Sequence, residues 1–301
     1  MNLSNDRDVT VSFDHLTKYY GSTRGIEDVT FDVYRGEVFG FLGPNGAGKT
    51  TAIRTILGLI NSTSGSARIL GVDALKRNAE LRKRIGYLPG IAATYDNYTA
   101  RGYLQFVAGM RKLDLGEVIT KLAERLDLDL DQQIRGLSKG NRQKVSVIQA
   151  FMHSPDVLFL DEPTSGLDPL VQREFEKILD ETVHRGASII LSSHVLSEVE
   201  HLADRIAIID KGRIVLIDEI VVLKNKARKK IDLLFDKPVN NADFIGVPNI
   251  EEITFVNGAL KCVVTGSEYE LLKRAVELHV IEVRTQESSL EEIFLDFVGS
   301  R

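Results

Sequence analysis

Short apolar runs alternate with helix-like segments through most of the first 210 residues. Between the runs, apolar residues recur every three or four positions, as on one face of a helix. Strands that alternate with helices favour an α/β fold, with a mostly parallel sheet covered by helices on both faces. The runs that predict strands are Val38 to Leu42, Ile85 to Leu88, Val157 to Leu160, Ser188 to Leu191 and Ile206 to Ile209.

The stretch from about residue 90 to residue 155 has a different pattern. Its apolar residues keep helical spacing, and we therefore expect a helical insertion into the α/β core. The apolar positions are Tyr103, Leu104, Val107, Val118, Ile119, Leu122, Leu126, Val145, Ile148 and Met152.

A basic run from Leu223 to Lys230 follows the hairpin-like Asp210-Lys211-Gly212-Arg213, and we place a domain boundary there. The main domain is then 1–223, and 224–301 is a small accessory α+β domain. Its patterns predict strands at 231–235, 253–256, 260–264 and 281–284, a hairpin turn at Asn257-Gly258, and helices at 269–278 and 289–297. The small domain carries no recognisable chemistry and is interpreted as an appendage that stabilises a dimer. The alternative is a regulatory domain that senses a ligand or pairs subunits.

The composition of the chain excludes several types of partner and structure. The chain has 301 residues and is 43% hydrophobic, which is enough for a substantial core. A formal charge of -5 argues against nucleic acid as the main partner, because phosphate binding usually needs a basic face. The single cysteine, Cys262, excludes an internal disulfide. No signal-peptide pattern and no apolar run near the roughly 18 residues of a membrane span are present, so we expect a cytosolic chain.

Candidate chemistry begins directly after the first predicted strand. A glycine-rich run there predicts a phosphate-binding loop, since its backbone N-H groups can turn toward an anion and the helix that follows aims its positive end at the phosphates. Lys49 would reach the β- and γ-phosphates, and the Thr50 hydroxyl would bind Mg²⁺. The loop consists of Gly43, Pro44, Asn45, Gly46, Ala47, Gly48, Lys49, Thr50 and Thr51.

Polar residues also follow two other predicted strands. Asp161 and Glu162 end the run that starts at Val157, and Ser192-Ser193-His194 end the next. Because ligands of α/β sheets bind outside the carboxyl ends of the strands, we expect these residues to meet the loop in one crevice. Asp161 would hold Mg²⁺ opposite Thr50, and Glu162 would polarise the attacking water. Taken alone, the two acids could instead cap a helix.

The segment Leu137-Ser138-Lys139-Gly140-Asn141-Arg142-Gln143 opens a predicted helix. Ser138 is well placed as its N-cap and need do nothing more. A capped helix with Gly140 in its first turn is also an anion site.

In order and spacing, these motifs resemble those of ATP-binding cassette (ABC) ATPases over residues 10 to 220, with Ser165-Gly166-Leu167-Asp168 and His194 completing the set. The resemblance implies a phosphate-loop NTPase with a RecA-like parallel core, an antiparallel β part and a helical subdomain. It also implies ATPase activity, with ATP and Mg²⁺ bound.

The resemblance assigns binding roles to residues outside the loop. It implies that Tyr20 stacks on adenine, although on sequence alone this would be an ordinary tyrosine at a strand edge. Ser138 and Gly140 are implied to touch the γ-phosphate of ATP bound to another subunit, and Asp168 to lie in the loop at that interface.

Three residues form the catalytic set implied by the resemblance. Glu162 is the base, Lys49 grips the phosphates, and His194 contacts the γ-phosphate. A lone histidine after a strand is more often structural, but this one ends a strand that leads to the site.

The resemblance further implies how the protein works. Two ATPase domains close head to tail around two ATP molecules, so this chain is expected to pair with itself or with a similar chain. It is expected to dock on separate membrane permease subunits at the cytoplasmic face. Its motifs are similar to those of ATPases that drive ABC-2 type exporters, including the drug and bacitracin resistance group. The alternative is a soluble ABC-type ATPase that acts on nucleic acid or ribosomes, or a slow-hydrolysing regulatory cassette.

The chain departs from the family pattern at one site position. The family places a glutamine after Tyr87-Leu88-Pro89, where its amide contacts Mg²⁺ and water, but residue 90 is Gly. Lys139 and Asn141 are further changes, within the segment Leu137 to Gln143 that matches the family's Leu-Ser-x-Gly signature. Either another group or a water replaces the amide and hydrolysis persists, which we favour, or ATP binds well and is hydrolysed slowly.

Overall fold

The computed structural model describes residues 8–91, 94–226, 228–256 and 259–286. Backbone contacts divide the chain into two compact units, Met1–Ile217 and Asp218–Arg301. This division precedes the boundary expected after residue 223, because the helix that begins at Ile220 belongs to the second unit. The turn expected at Asn257-Gly258 and the helix expected at 289–297 lie outside the described residues.

A six-stranded sheet forms the centre of the first unit, in the order β10-β9-β3-β8-β7-β6. The strands from β9 to β6 in this order run parallel, as the pattern predicts. All residues of β3, β7 and β8 are buried, which explains why these strands read as continuous apolar runs. The strands are β3 (Val38–Leu42), β6 (Ile85–Leu88), β7 (Val157–Asp161), β8 (Ser188–Ser193), β9 (Arg205–Asp210) and β10 (Arg213–Glu219).

Three helices follow strands of this sheet, and residues of the site lie in their first turns or just before them. Helix α1 (Lys49–Ile56) follows β3 and buries Ala52, Ile53 and Ile56. Helix α6 (Pro169–His184) follows β7, starts with proline and is capped by the Asp168 side chain. Helix α7 (Leu196–Leu202) follows β8.

A second sheet in this unit is antiparallel, with the order β2-β1-β4-β5. It joins the central sheet through an aromatic stack, in which the Phe31 ring lies 4.3 Å from that of Phe13 and 4.8 Å from that of Phe39 on β3. This is the antiparallel part implied by the resemblance. The strands are β1 (Val9–Tyr20), β2 (Thr23–Tyr34), β4 (Ser64–Ile69) and β5 (Val72–Asp73).

Helices dominate the region between β6 and β7. Thr99 caps α3 and Ser138 caps α5, each by accepting a backbone N-H bond on its hydroxyl. Their buried faces include Tyr103, Leu104 and Ile148, at the helical spacing seen in the sequence. The helices are α3 (Ala100–Met110), α4 (Gly116–Arg125) and α5 (Lys139–Phe151), with a 3-10 turn at Ile134–Gly136, while the short α2 (Ala79–Lys83) precedes β6.

The second unit contains a four-stranded antiparallel sheet in the order β12-β13-β11-β14. One face of the sheet forms a core in which Leu233, Leu260 and Leu271 are buried. Cys262 is part of this core, and burial raises the pKa of its thiol to about 11, so it behaves as a small apolar residue. The elements are α8 (Ile220–Lys226), β11 (Arg228–Phe235), a 3-10 turn at Asn241–Phe244, β12 (Ile250–Val256), β13 (Ala259–Thr265), α9 (Tyr269–Glu277) and β14 (Val280–Gln286).

Candidate nucleotide site

The glycine-rich loop connects β3 directly to α1. Gly48 has a φ of 114°, and a Cβ there would lie 2.7 Å from a backbone oxygen of β2. At Gly43 a Cβ would lie 2.3 Å from the carbonyl oxygen of Ile209. Both glycines are therefore needed for the loop to close against its neighbours.

Lys49, the first residue of α1, folds back over the loop. Its Nζ donates to the carbonyl oxygens of Gly43 (2.6 Å) and Pro44 (3.3 Å), and it lies 3.6 Å from Oε1 of Glu162. Burial lowers the pKa of Lys49, while the charges of Glu162 and Asp161 oppose that shift. The ammonium is thus almost completely shielded from solvent, and it lies where the loop meets Asp161 and Glu162.

Thr50 and Asp161 meet across the sheet. The Thr50 hydroxyl donates to Oδ2 of Asp161 over 2.8 Å, and the Ser192 hydroxyl donates to Oδ1 over 2.5 Å. A hydroxyl and a carboxylate at the edge of a cavity are oxygen donors of the kind that Mg²⁺ takes from a protein when substrate phosphates supply the rest. The residues present therefore fit this ion.

Glu162 lies between the lysine and the histidine. Its Oε2 is 2.7 Å from Nδ1 of His194, on the side opposite Lys49. Its backbone has a φ of 51°, in the left-handed region, and its N-H donates to the carbonyl of Ser192 over 3.0 Å. A non-glycine residue in this conformation costs energy, and such residues cluster at functional sites.

These groups border a cavity of about 480 Å³. Loop residues 44–51 line it together with Tyr20, Gly90, Asp161 and Glu162. Of the residues predicted for the loop and the catalytic set, Gly43 and His194 are not part of the lining; they contact Lys49 and Glu162, which are. The half-exposed Tyr20 offers a ring face at one wall, with the ammonium of Lys18 5.0 Å from its centroid.

Two arginines that line the cavity, Arg24 and Arg54, were missed by the sequence interpretation. Arg54 lies four residues after Thr50 on α1, and that spacing places both residues on one helix face, so helical periodicity would have indicated it. No local pattern indicates Arg24, which pairs with Glu27 over 3.0 Å.

The structure does not bring Ser138, Gly140 and Asp168 into this cavity. They lie together elsewhere, at the first turns of α5 and α6, where a Cβ on Gly140 would lie 2.5 Å from the carbonyl oxygen of Gly166. The Ser138 hydroxyl accepts the Asn141 N-H, and the Asp168 carboxylate accepts two backbone N-H groups. These two bonds lower the pKa of Asp168.

Helix α5 is also tied to the end of β7. The buried Gln143 donates from Nε2 to the carbonyl of Pro163 over 2.9 Å. The sequence interpretation missed this residue, although a glutamine on the buried face of a helix signals a required partner. The bond couples the signature segment to the strand end that carries Glu162.

At position 90 there is space for a side chain. Gly90 lines the cavity, and a Cβ there would lie 3.4 Å from Oδ2 of Asp161, which is an ordinary contact. The backbone therefore permits the glutamine that the family pattern places here.

A phosphate loop, an acid pair and a histidine at the carboxyl ends of parallel strands define a phosphate-loop ATPase. Residues 26–165 match the family model described as ABC transporter. The bacitracin transport ATP-binding protein BcrA of Bacillus licheniformis is 33% identical over 294 residues, which cover 94% of this chain and 95% of that protein. The linearmycin resistance ATP-binding protein LnrL of Bacillus subtilis (strain 168) is 31% identical over 302 residues, covering 95% and 97%.

A solved structure, that of an ATP-binding subunit of an ABC transporter, is similar with a TM-score of 0.66 at 30% identity, covering 71% of this chain and 92% of that one. The chain belongs to the ATP-binding subunits of ABC transporters. The predicted family, fold class and ATPase activity are confirmed.

The contacts of Glu162 predict the effect of removing its charge. Loss of a positioned base typically costs about 10² to 10⁴ in rate. We expect Glu162→Gln to lose turnover by that factor and to keep ATP binding, because the loop and Thr50 are untouched. Steady-state ATPase assays and equilibrium binding of a fluorescent ATP analogue measure the two effects, with Glu176→Gln, at a half-buried glutamate of α6 outside the cavity lining, as control. Unchanged turnover would remove Glu162 from this role.

The space at Gly90 gives a second test. Since the other catalytic groups are present, we expect the unaltered chain to hydrolyse ATP, and Gly90→Gln to change turnover without creating it. A phosphate-release assay on the unaltered chain and on Gly90→Gln measures the two turnover rates. An inactive parent together with an active Gly90→Gln variant would show that the missing amide had abolished hydrolysis.

Proposed function

We propose that this chain energises an ABC-2 type exporter by ATP-driven closure of two such subunits. The observation that supports this most directly is the position of Glu162, between Lys49 and His194 and beside the Thr50 to Asp161 bond. In this proposal Glu162 is the base, Lys49 the cation that binds phosphate, and Thr50 with Asp161 the metal site, all at one cavity.

Each residue then has a distinct task in hydrolysis. Thr50 and Asp161 would hold Mg²⁺, and a bound ion would offset phosphate charge. Lys49 leaves its loop carbonyls for the β- and γ-phosphates, a move that exchanges weak acceptors for anionic oxygens. Glu162 accepts the proton of the attacking water, and the imidazole of His194 orients that carboxylate.

The second half of the site comes from another copy of the chain or from a similar chain. Ser138 is exposed, and with Gly140 it opens α5 away from the cavity of its own chain. A helix N-terminus with free N-H groups favours an anion. In a head-to-tail pair, it would face the γ-phosphate of the ATP held by the other loop, with Asp168 near the interface.

A permease is the expected partner at the membrane. Relatives act in bacitracin transport and linearmycin resistance by their names. In the part of the chain that the structure describes, no helix has the length and hydropathy to cross a bilayer. We place the chain at the cytoplasmic face, bound through permease subunits.

The surface assigned to that partner is an exposed aromatic cluster formed by Tyr95, Tyr98 and Phe106. Tyr95 is 62% exposed, and the ring of Phe106 lies 6.3 Å from the Tyr95 centroid and 5.8 Å from that of Tyr98. Large exposed apolar patches mark interaction sites. The nearby Met110 on α3, 63% exposed, extends the same apolar surface.

The shared site predicts complementation between inactive variants. Lys49→Ala removes the loop cation and Ser138→Arg blocks the signature, so each alone should be inactive. A mixed head-to-tail dimer contains one site with both defects and one intact site, and we expect mixing to restore part of the ATPase activity. Mixing Lys49→Ala with Glu162→Gln is the control, because every site then keeps one defect. Absence of recovery in mixed dimers isolated by two tags would exclude a shared site.

The aromatic cluster predicts a separable docking defect. We expect Tyr95→Ser combined with Phe106→Ser to lose the permease subunits that co-purify with the wild-type chain, while ATP binding stays intact. Tyr269→Ser, an exposed tyrosine of the second unit, is the control. Full retention of the permease by the double variant would exclude this surface.

A further inference from the structure

Ser192, near the end of β8, touches both acids of the site. Register pairs it with Asp161 on the neighbouring β7, and its buried hydroxyl donates to Oδ1 of that residue. Its carbonyl accepts the N-H of Glu162. One residue therefore supports the carboxylate assigned to the metal with its side chain, and the base with its backbone.

The hydroxyl of Ser192 limits how the Asp161 carboxylate can turn. The terminal torsion of an aspartate is broad, so the carboxylate rotates unless both oxygens are held. Thr50 holds Oδ2 and Ser192 holds Oδ1. When a metal binds, we expect the Thr50 hydroxyl, and not that of Ser192, to turn toward the ion. The bond from the Ser192 hydroxyl to Oδ1 would then keep the Asp161 carboxylate in its orientation.

The glycine at position 90 increases the importance of this bond. The position lies next to Oδ2 of Asp161, yet Gly90 supplies no side chain to contact the carboxylate or the ion. The Asp161 carboxylate is therefore supported by Ser192 on β8 but by no side chain at residue 90.

We propose that Ser192 is a positioning residue that sets the affinity of the site for Mg²⁺ by fixing the Asp161 carboxylate. This inference rests on the proposed magnesium site. Groups that orient a metal ligand typically change metal affinity or activity by about 10- to 100-fold when removed.

Another serine of the same strand provides a matched control. Ser188 at the other end of β8 is equally buried, and its hydroxyl bonds to the Tyr34 carbonyl and to Thr10. It contacts neither acid in these bonds. Ser188→Ala therefore removes the same atom from the same strand without touching the site.

The experiment measures binding of a fluorescent ATP analogue to the full chain as free Mg²⁺ is varied, and again in EDTA. For Ser192→Ala, we expect the Mg²⁺ concentration at half-maximal effect to rise about 10- to 100-fold, with affinity in EDTA changed less than about twofold. Ser192→Thr restores a hydroxyl and should recover the wild-type Mg²⁺ dependence, and Ser188→Ala should match wild type.

Ser192→Cys covers the case in which the alanine variant does not fold. Cysteine is nearly the same size as serine, and its thiol is only a weak donor. The Mg²⁺ concentration at half-maximal effect should therefore also rise in this variant. A wild-type Mg²⁺ response in a folded Ser192→Ala or Ser192→Cys variant overturns the role of Ser192. Absence of any Mg²⁺ effect in wild type instead overturns the proposed metal site itself.

Discussion

The buried ammonium of Lys49 is the interaction on which the site depends. A cation that is buried from solvent is stable only where oxygen atoms surround it. Here the carbonyls of Gly43 and Pro44 and the carboxylate of Glu162 supply these oxygen atoms. The loop can present those carbonyls because two glycines allow it to lie close to its neighbours. We propose that bound phosphates take over from the carbonyls, so that the same charge holds the loop together and attracts the ligand.

The opposite side of the cavity balances this cation with two acids that are held differently. Asp161 receives hydroxyl bonds on both oxygens, whereas Glu162 is fixed by a left-handed backbone and by contacts with Lys49 and His194. Since β8 lies between β3 and β7, its end contacts both acids. Strand order thus decides which side chains can act together.

Much of this arrangement could be predicted from the sequence, and there is a physical reason why the rest could not. The loop, Asp161, Glu162 and His194 could be located because buried strands read as apolar runs that end in polar residues. The bond between Ser192 and Asp161 could not be predicted, since it requires knowing that β8 neighbours β7 in a particular register. Gln143 likewise bonds to a residue distant in the chain, the carbonyl of Pro163. Arg24 lines the cavity, which no local pattern in the sequence indicates. The strands of the antiparallel sheet were expected only through family resemblance, as their half-exposed residues give no continuous run.

We propose that the Lys49 ammonium makes the cavity a phosphate site. The most direct measurement is calorimetric binding of ATP and of AMP to the wild-type chain and to Lys49→Ala, in EDTA so that the metal does not contribute. We expect that wild type prefers ATP and that the variant loses most of this preference while its affinity for AMP changes little. An unchanged preference for ATP in a folded Lys49→Ala chain would contradict it.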